Sequence, residues 1–342
     1  MMEGEYDFLK NELRIVLIGL TGSGKSTSGN AILGLDRNHG FTSQPSARSV
    51  TSVGCRKATR FGRDILVTDT HGMYNTRLSQ GEVTKELIQC ITLSAPGPHA
   101  FVMVLRLKRF TSKEQAAIAY FRDIFGQDML KYLFVLFTGL DVLQADNVSL
   151  DEFLENVTGP LKDLIRECDG RYTAINNRER NPGVKEGQVK KLVDMITSNV
   201  DKHSGSHFTT EMTKTAEQEV RKREEIIRQE KDEEVRKAKE RIQKDTVERY
   251  AKRQKEMVKE NERFKVDSEG LKEKQELDKD ELERILAGRL AAYKRIEEQF
   301  ARSARNQIRY EIETDDSFIG TVGNAVCSVA GALIHPFKNL LL

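Results

Sequence analysis

Apolar residues follow two rhythms in the first part of this chain and thin out sharply later. Short, largely apolar runs recur at Arg14-Ile15-Val16-Leu17-Ile18, Asp64-Ile65-Leu66-Val67-Thr68 and Ala100-Phe101-Val102-Met103-Val104-Leu105, then at Tyr132-Leu133-Phe134-Val135-Leu136-Phe137 and Arg171-Tyr172-Thr173-Ala174-Ile175. Runs of this kind predict strands buried on both faces, as in a parallel sheet. Alternation through Ser49–Cys55 and Arg56–Phe61, followed by the turn Gly62-Arg63-Asp64, predicts a β-hairpin feeding the second run. Helical spacing appears in Leu150, Phe153, Leu154, Val157, Leu161, Leu164, Ile165 and Cys168, with Ser149 placed to cap the helix and Pro160 placed to kink or split it. Val189, Leu192, Val193, Ile196 and Val200 form a second core-facing stripe. Strands alternating with helices predict an α/β domain with a mostly parallel sheet.

The pattern then changes. None of the six prolines falls between positions 183 and 335, and residues 217–316 are more than half charged, with acids and bases interleaved. Such a segment predicts one or a few long helices, and ~100 continuous residues would extend ~150 Å. Its apolar residues are sparse: Tyr250, Met257, Phe264 and Leu271 step by seven, as do Leu286, Tyr293 and Phe300. One apolar position per heptad is less than the pair a stable coiled coil uses. A charge-laced single helix, a weak coiled coil and a helix folded back on the head therefore all stand. From Phe318 to Ile334 the chain carries no charge and is rich in small residues, and Leu340-Leu341-Leu342 follow. That stretch is at the lower edge for a bilayer span. It predicts membrane contact, with a short helix docked on the protein as the alternative. The expected divisions are an N-terminal tail over 1–12, a head over 13–205, a helical, coiled-coil-like extension over 206–316 and an apolar tail over 317–342.

Charge and cysteines narrow the picture only a little. A net charge of +2 gives no general argument for nucleic acid, and none is expected as a partner. Cys55, Cys90, Cys168 and Cys327 are scattered, without metal or disulfide spacing. The first residues, Met1-Met2-Glu3-Gly4-Glu5-Tyr6, lack the apolar core of a secretory signal. The expected location is the cytoplasm, with the cytosolic face of an intracellular membrane as a further option.

Chemistry concentrates just after the first strand. Gly19-Leu20-Thr21-Gly22-Ser23-Gly24-Lys25-Ser26 fits G-x-x-x-x-G-K-[ST], and Thr27–Leu33 reads as the helix that follows. Glycines let backbone N–H groups turn inward onto phosphates, Lys25 can reach the β and γ phosphates, and Ser26 can bind Mg²⁺. Gly19, Thr21, Gly22, Ser23, Gly24, Lys25, Ser26 and Thr27 are thus the expected phosphate contacts. The second run ends in Asp69-Thr70-His71-Gly72, the D-x-x-G pattern of GTP-binding switches. Asp69 is expected to hold Mg²⁺ through water and Gly72 to offer its N–H to a γ-phosphate. Thr51 can complete the metal shell, with Ser49 and Ser52 as rivals. Thr138-Gly139-Leu140-Asp141 stands where [NT]-K-x-D recognises guanine, with Asp141 in register and Gly139 in place of the lysine. Asn176-Asn177 closes the last strand and can lie against the base edge.

One further segment is more specific. Leu93-Ser94-Ala95-Pro96-Gly97-Pro98-His99-Ala100, continuing to Arg109-Phe110-Thr111, resembles the signature box of the immunity-associated nucleotide-binding GTPases, the GIMAP family. The phosphate loop, Asp69–Gly72 and Arg171–Arg178 resemble that family too, so the likeness covers about residues 11–205. It implies a P-loop GTPase domain followed by a long α-helical extension, with GTP/GDP and Mg²⁺ as cofactors and pairing of heads through the nucleotide face. The homo-dimer or oligomer is expected to depend on the nucleotide. Met73 stands where many small GTPases carry the water-orienting Gln, so slow unassisted hydrolysis is expected. Arg109 is the favoured arginine finger across a dimer, with Arg106 and Lys108 as alternatives. His71 is also a catalytic candidate, and His99 a structural one. A scaffold that binds nucleotide without hydrolysis, and a P-loop ATPase or kinase, are the competing functions.

Overall fold

The computed structural model describes residues 11–36, 38–41, 53–70, 80–108, 110–264, 284, 287–288, 291 and 304–330. Six strands form one sheet: β1 (Glu12–Ile18), β2 (Gly54–Arg60), β3 (Arg63–Asp69), β4 (Ala100–Arg106), β5 (Leu133–Thr138) and β6 (Tyr172–Ile175). Their order is β2-β3-β1-β4-β5-β6, parallel throughout except for the β2–β3 hairpin at one edge. Central β1 and β5 are buried at every residue, whereas edge strand β2 is mostly half-exposed. The fold class expected from the sequence is the one seen: a P-loop GTPase domain with a mostly parallel sheet and a long helical extension.

Helices α1 (Lys25–Leu33), α2 (Gln80–Leu93), α3 (Ser112–Phe125), α4 (Leu140–Ala145), α5 (Leu150–Glu155) and α6 (Pro160–Glu167) lie between strands, and α7 (Pro182–Lys202) follows β6. Local signals set their ends. Thr111 and Glu114 form a reciprocal capping box on α3. Ser149 caps α5 through a 3.1 Å bond from the Glu152 N–H. Pro160 splits the predicted helix and opens α6 in its first turn, where its missing N–H costs nothing. On one sheet face, Val189, Leu192, Val193 and Ile196 of α7 pack with Ile32 and Leu33 of α1 against Leu13, Ile15, Val102 and Phe134. Elsewhere in the core, the Phe101 ring lies 4.9 Å from Phe125 and 5.1 Å from Phe208.

The Pro-Gly-Pro-His segment has a structural role. Phe208 N–H donates to Pro98 O at 2.8 Å, and a Cβ on Gly97 would lie 2.1 Å from Phe208 O. Only glycine permits that approach, with φ at +154°. Buried Arg14 donates from Nε to Gly97 O at 2.7 Å. His99 Nδ1 accepts the Arg14 backbone N–H at 3.0 Å, so the neutral ring carries its proton on Nε2.

Burial, and then the Arg14 guanidinium, push His99 down to about 2. His207, 5.9 Å away, is pushed to about 4 for the same reasons in the same order. Unfolded histidine titrates near 6.5. These neutral rings therefore contribute stability above that pH and lose it as pH falls toward their folded values. One proton between pH 6.5 and 5 amounts to about 2 kcal/mol. Thermal unfolding is expected to show Tm dropping over that interval, less steeply in His99→Gln. Equal slopes would exclude His99 as the source.

The chain forms two compact units, one reaching Arg221 and resuming at Arg309, the other running from Lys222 to Ile308. Helix α8 (Glu211–Phe264) leaves the first and enters the second. In the second unit its surface is laced with pairs such as Arg236–Glu233 at 2.7 Å and Arg236–Glu240 at 2.8 Å. Exposed pairs at this spacing add about 0.2–0.5 kcal/mol each. Arg305 returns to grip Glu224 through two bonds of 2.5 and 3.0 Å, joining the two ends of this unit. The side chains of the heptad positions named above lie outside the described residues.

Within the first unit, residues 309–314 are helical and α9 (Asp316–Ala330) follows. Helix α9 packs on α2, with Ile319, Val322 and Val326 buried and Gly323 set against Ile88. Lys85 and Asp316 pair at 2.7 Å. Glu313 accepts the Cys55 N–H at 2.6 Å, occupying the open side of edge strand β2. Residues 317–330 of the apolar tail thus lie in a helix packed on α2. No helix among the described residues is long and apolar enough to cross a membrane.

Candidate nucleotide site

The site forms at the carboxyl ends of the parallel strands, beside β1, where the strand order reverses and α/β folds place ligands. The chain leaves β1 through Gly19, Gly22 and Gly24, with φ of 139°, 80° and 102°. A Cβ at Gly19 would lie 2.6 Å from Val104 O, and one at Gly24 would crowd the Thr138 methyl at 3.2 Å. Helix α1 starts at Lys25 with no side-chain cap and no acid in its first turn. Its first N–H groups are therefore open to an anion at the positive end of the helix. Thr21 and Gly22 are exposed at the loop crest, and Thr27 is half-buried in the first turn.

Lys25 is almost fully buried and donates to Gly19 O at 2.9 Å and Leu20 O at 3.1 Å. Burial lowers its pKa, opposed by the charges of Asp69 and Glu86. Ser26 Oγ donates to Asp69 Oδ2 at 2.5 Å. Asp69 Oδ1 and Ser23 Oγ are buried without a hydrogen-bond partner. Burial raises the Asp69 carboxyl, resisted by the Ser26 bond and by Lys25. A hydroxyl and a carboxylate converging, with one carboxylate oxygen unsatisfied, suit Mg²⁺. That ion takes hard oxygens, one or two of them from carboxylates, and the rest from water and phosphate. Among the described residues no cluster of three or more His, Cys, Asp or Glu is placed to hold a metal.

At the other end, Gly139 (φ 82°) opens α4 and puts Asp141 in its first turn. Asp141 Oδ2 lies 3.6 Å from the exposed Arg178 guanidinium. The Asn176 amide is occupied by neighbours: Nδ2 donates to Gln144 at 3.3 Å and Oδ1 accepts the Arg178 N–H at 2.9 Å. Asn177 turns to the phosphate loop, donating to Ser28 Oγ at 3.1 Å and leaving Oδ1 buried and unpartnered. Thr138 Oγ1 donates to Ser23 O at 2.7 Å, tying the end of β5 to the glycine loop. Thr51 with its rivals Ser49 and Ser52, His71, Gly72, Met73 and Arg109 lie outside the described residues.

Sequence reasoning missed Glu86. Its Oε2 is buried without a partner, and burial lifts the carboxyl to about 7 despite the charge of Lys25. The signal was present: Val83, Glu86, Leu87, Cys90 and Ile91 share one helical face, so Glu86 sits in an apolar stripe.

A glycine loop opening onto a helix at the switch point of this sheet, with a buried lysine and a Ser–Asp pair beneath it, defines a P-loop domain of the GTPase type. The chain belongs to the AIG1 family, whose model matches residues 13–229. It is 35% identical over 223 residues to Immune-associated nucleotide-binding protein 4 of Arabidopsis thaliana, covering 64% of this chain and 66% of that protein. It is 31% identical over 226 residues to protein 9 of the same plant, covering 64% and 65%. The chain thus spans just under two thirds of the length of these curated relatives. Among solved structures it resembles Toc33 of Arabidopsis thaliana in complex with GDP and Mg²⁺, at 14% identity and a TM-score of 0.42, over 58% of this chain and 88% of that one. The G domain of the T. maritima FeoB iron transporter aligns at 13% identity and a TM-score of 0.37, over 55% and 99%.

Proposed function

We propose that this chain binds GTP with Mg²⁺ in the site above and hydrolyses it slowly until two heads meet. The observation carrying the proposal is the buried constellation of Lys25, Ser26 and Asp69 beneath a glycine loop, with Asp141 at the base end. Lys25, bonded to two carbonyls, is placed to neutralise the β and γ phosphates. Ser26 and Asp69 would hold Mg²⁺, and that ion would supply positive charge against the phosphates. Asp141 accepts from the N1–H and the 2-amino group of guanine, and adenine has neither. Thr138 and Asn177 keep the two halves of the site in register. The relatives are named as immune-associated nucleotide-binding proteins, which supports an immunity-related switch.

Hydrolysis is slow on this reading because Met73 cannot orient water. A cation arriving from a partner head, Arg109 in this assignment, supplies a stabilisation worth about 10³–10⁵ in rate. Phosphate release is therefore expected to rise more than linearly with protein concentration, and Arg109→Ala to remove that curvature. A strictly linear dependence would remove pairing from the reaction, negligible release would favour a scaffold that binds nucleotide without hydrolysis, and unchanged curvature in the variant would remove Arg109.

A further inference from the structure

We propose that Arg106 supplies the base-stacking cation that the recognition loop lacks at Gly139. The inference rests on the guanine reading above and assigns a specificity residue within that site.

Three observations place it. Strand β4 is buried from Ala100 to Leu105, and Arg106 is its one exposed residue. The register pairs Arg106 with Thr138, and the Leu107 N–H donates to Thr138 O at 2.9 Å, so the guanidinium stem emerges at the rim of the base loop. A Cβ built on Gly139 would lie 4.0 Å from Arg106 Cγ and 4.0 Å from Asp141 Oδ1. The space a side chain at position 139 would enter is thus bordered by both the Arg106 stem and the Asp141 carboxylate.

Charge bookkeeping at this rim singles out the same residue. Arg178 leans on Asp141, and Lys108 pairs with Glu114 at 3.7 Å. Arg106 makes no ion pair among the described residues, although it stands beside them. A planar, weakly hydrated guanidinium stacks on an aromatic plane better than an ammonium does. Glycine at 139 leaves the base face open for it. Asp141 then reads the guanine edge while Arg106 covers its face, so the chain keeps both parts of the recognition with one moved to a neighbouring strand.

Calorimetric titration of the full chain with GDP and with pyrophosphate tests this. Arg106→Ala is expected to weaken GDP about tenfold and leave pyrophosphate unchanged. Arg106→Lys should fall between. Adding Gly139→Lys to Arg106→Ala should recover part of the loss, limited by the strain of a side chain at φ 82°. GDP affinity within twofold of wild type would overturn the assignment. Equal losses for GDP and pyrophosphate would also overturn it, making Arg106 a phosphate cation. A wild-type chain that binds pyrophosphate and not GDP would instead sink the guanine reading, and this inference with it. Because Arg106 is exposed, an unchanged Tm is expected and separates these outcomes from misfolding.

Discussion

Lys25→Met is expected to weaken nucleotide binding by about 100-fold or more while leaving the nucleotide-free chain as stable as wild type or more so. The two effects have one cause. Lys25 is almost fully buried, and its ammonium is answered by two carbonyl oxygens rather than by a direct ion pair. Burial accordingly depresses its pKa against the pull of Asp69 and Glu86. Replacing a poorly compensated buried charge with an apolar chain of similar volume is often neutral or stabilising. With a triphosphate present the balance reverses, because the same cation meets several anionic oxygens in a site sheltered from water. Calorimetry gives the affinity and urea unfolding the stability. A variant that lost stability and kept its affinity would make Lys25 a structural brace and would overturn its assigned role.

The largest loss of stability is expected from Arg309→Ala, at about 3–5 kcal/mol. Glu12 is buried at the start of β1, and Arg309 grips it with two bonds, at 2.8 and 3.0 Å. Lys57 adds a third contact at 3.1 Å. Burial alone would raise the Glu12 carboxyl, yet Arg309, then Lys57 and Arg14, outweigh it and hold it at about 2. Removing Arg309 leaves a buried carboxylate with less than its full complement of cations and frees the segment that leads into α9. The double variant Glu12→Gln, Arg309→Met should cost less than Arg309→Ala alone, since no buried charge is then left behind. Urea unfolding measures both. A single-variant loss under about 1 kcal/mol would mean the pair is not a structural tie.

These two predictions mark where sequence reading succeeds and where it stops. The setting of Lys25 was legible because it is local: eight consecutive residues between an apolar run and a helix specify a glycine loop that buries this lysine at the helix start. The strands were legible for a similar reason, as was the split at Pro160, where one ring fixes where a helix begins. Arg309 was not legible. Its partner lies 297 positions away, and within a charged segment it looks like any other solvated arginine. Glu86 was hidden by the same habit of treating a helical glutamate as surface, although its spacing placed it among apolar residues. His99 was read as structural, and its bonds to Arg14 give that reading its physical content. Asn176 and Asn177 looked like one base-reading pair, but the described geometry divides their work. Asn176 braces Gln144 within the base loop, and Asn177 braces Ser28 behind the phosphate loop. Which way an amide turns depends on neighbours brought together by the sheet, and spacing does not reveal it.

Guanine recognition in a phosphate-loop site is the claim on which the rest depends. The most direct measurement is competitive calorimetry of the full chain with GTP and ATP in the presence of Mg²⁺, repeated with Asp141→Asn. GTP should bind at least about tenfold more tightly than ATP, because a site built to hydrogen-bond one base edge leaves its own groups unpaired with another. Asp141→Asn should remove most of that preference. Equal affinity for the two nucleotides, or a preference that survives the substitution, would contradict the account.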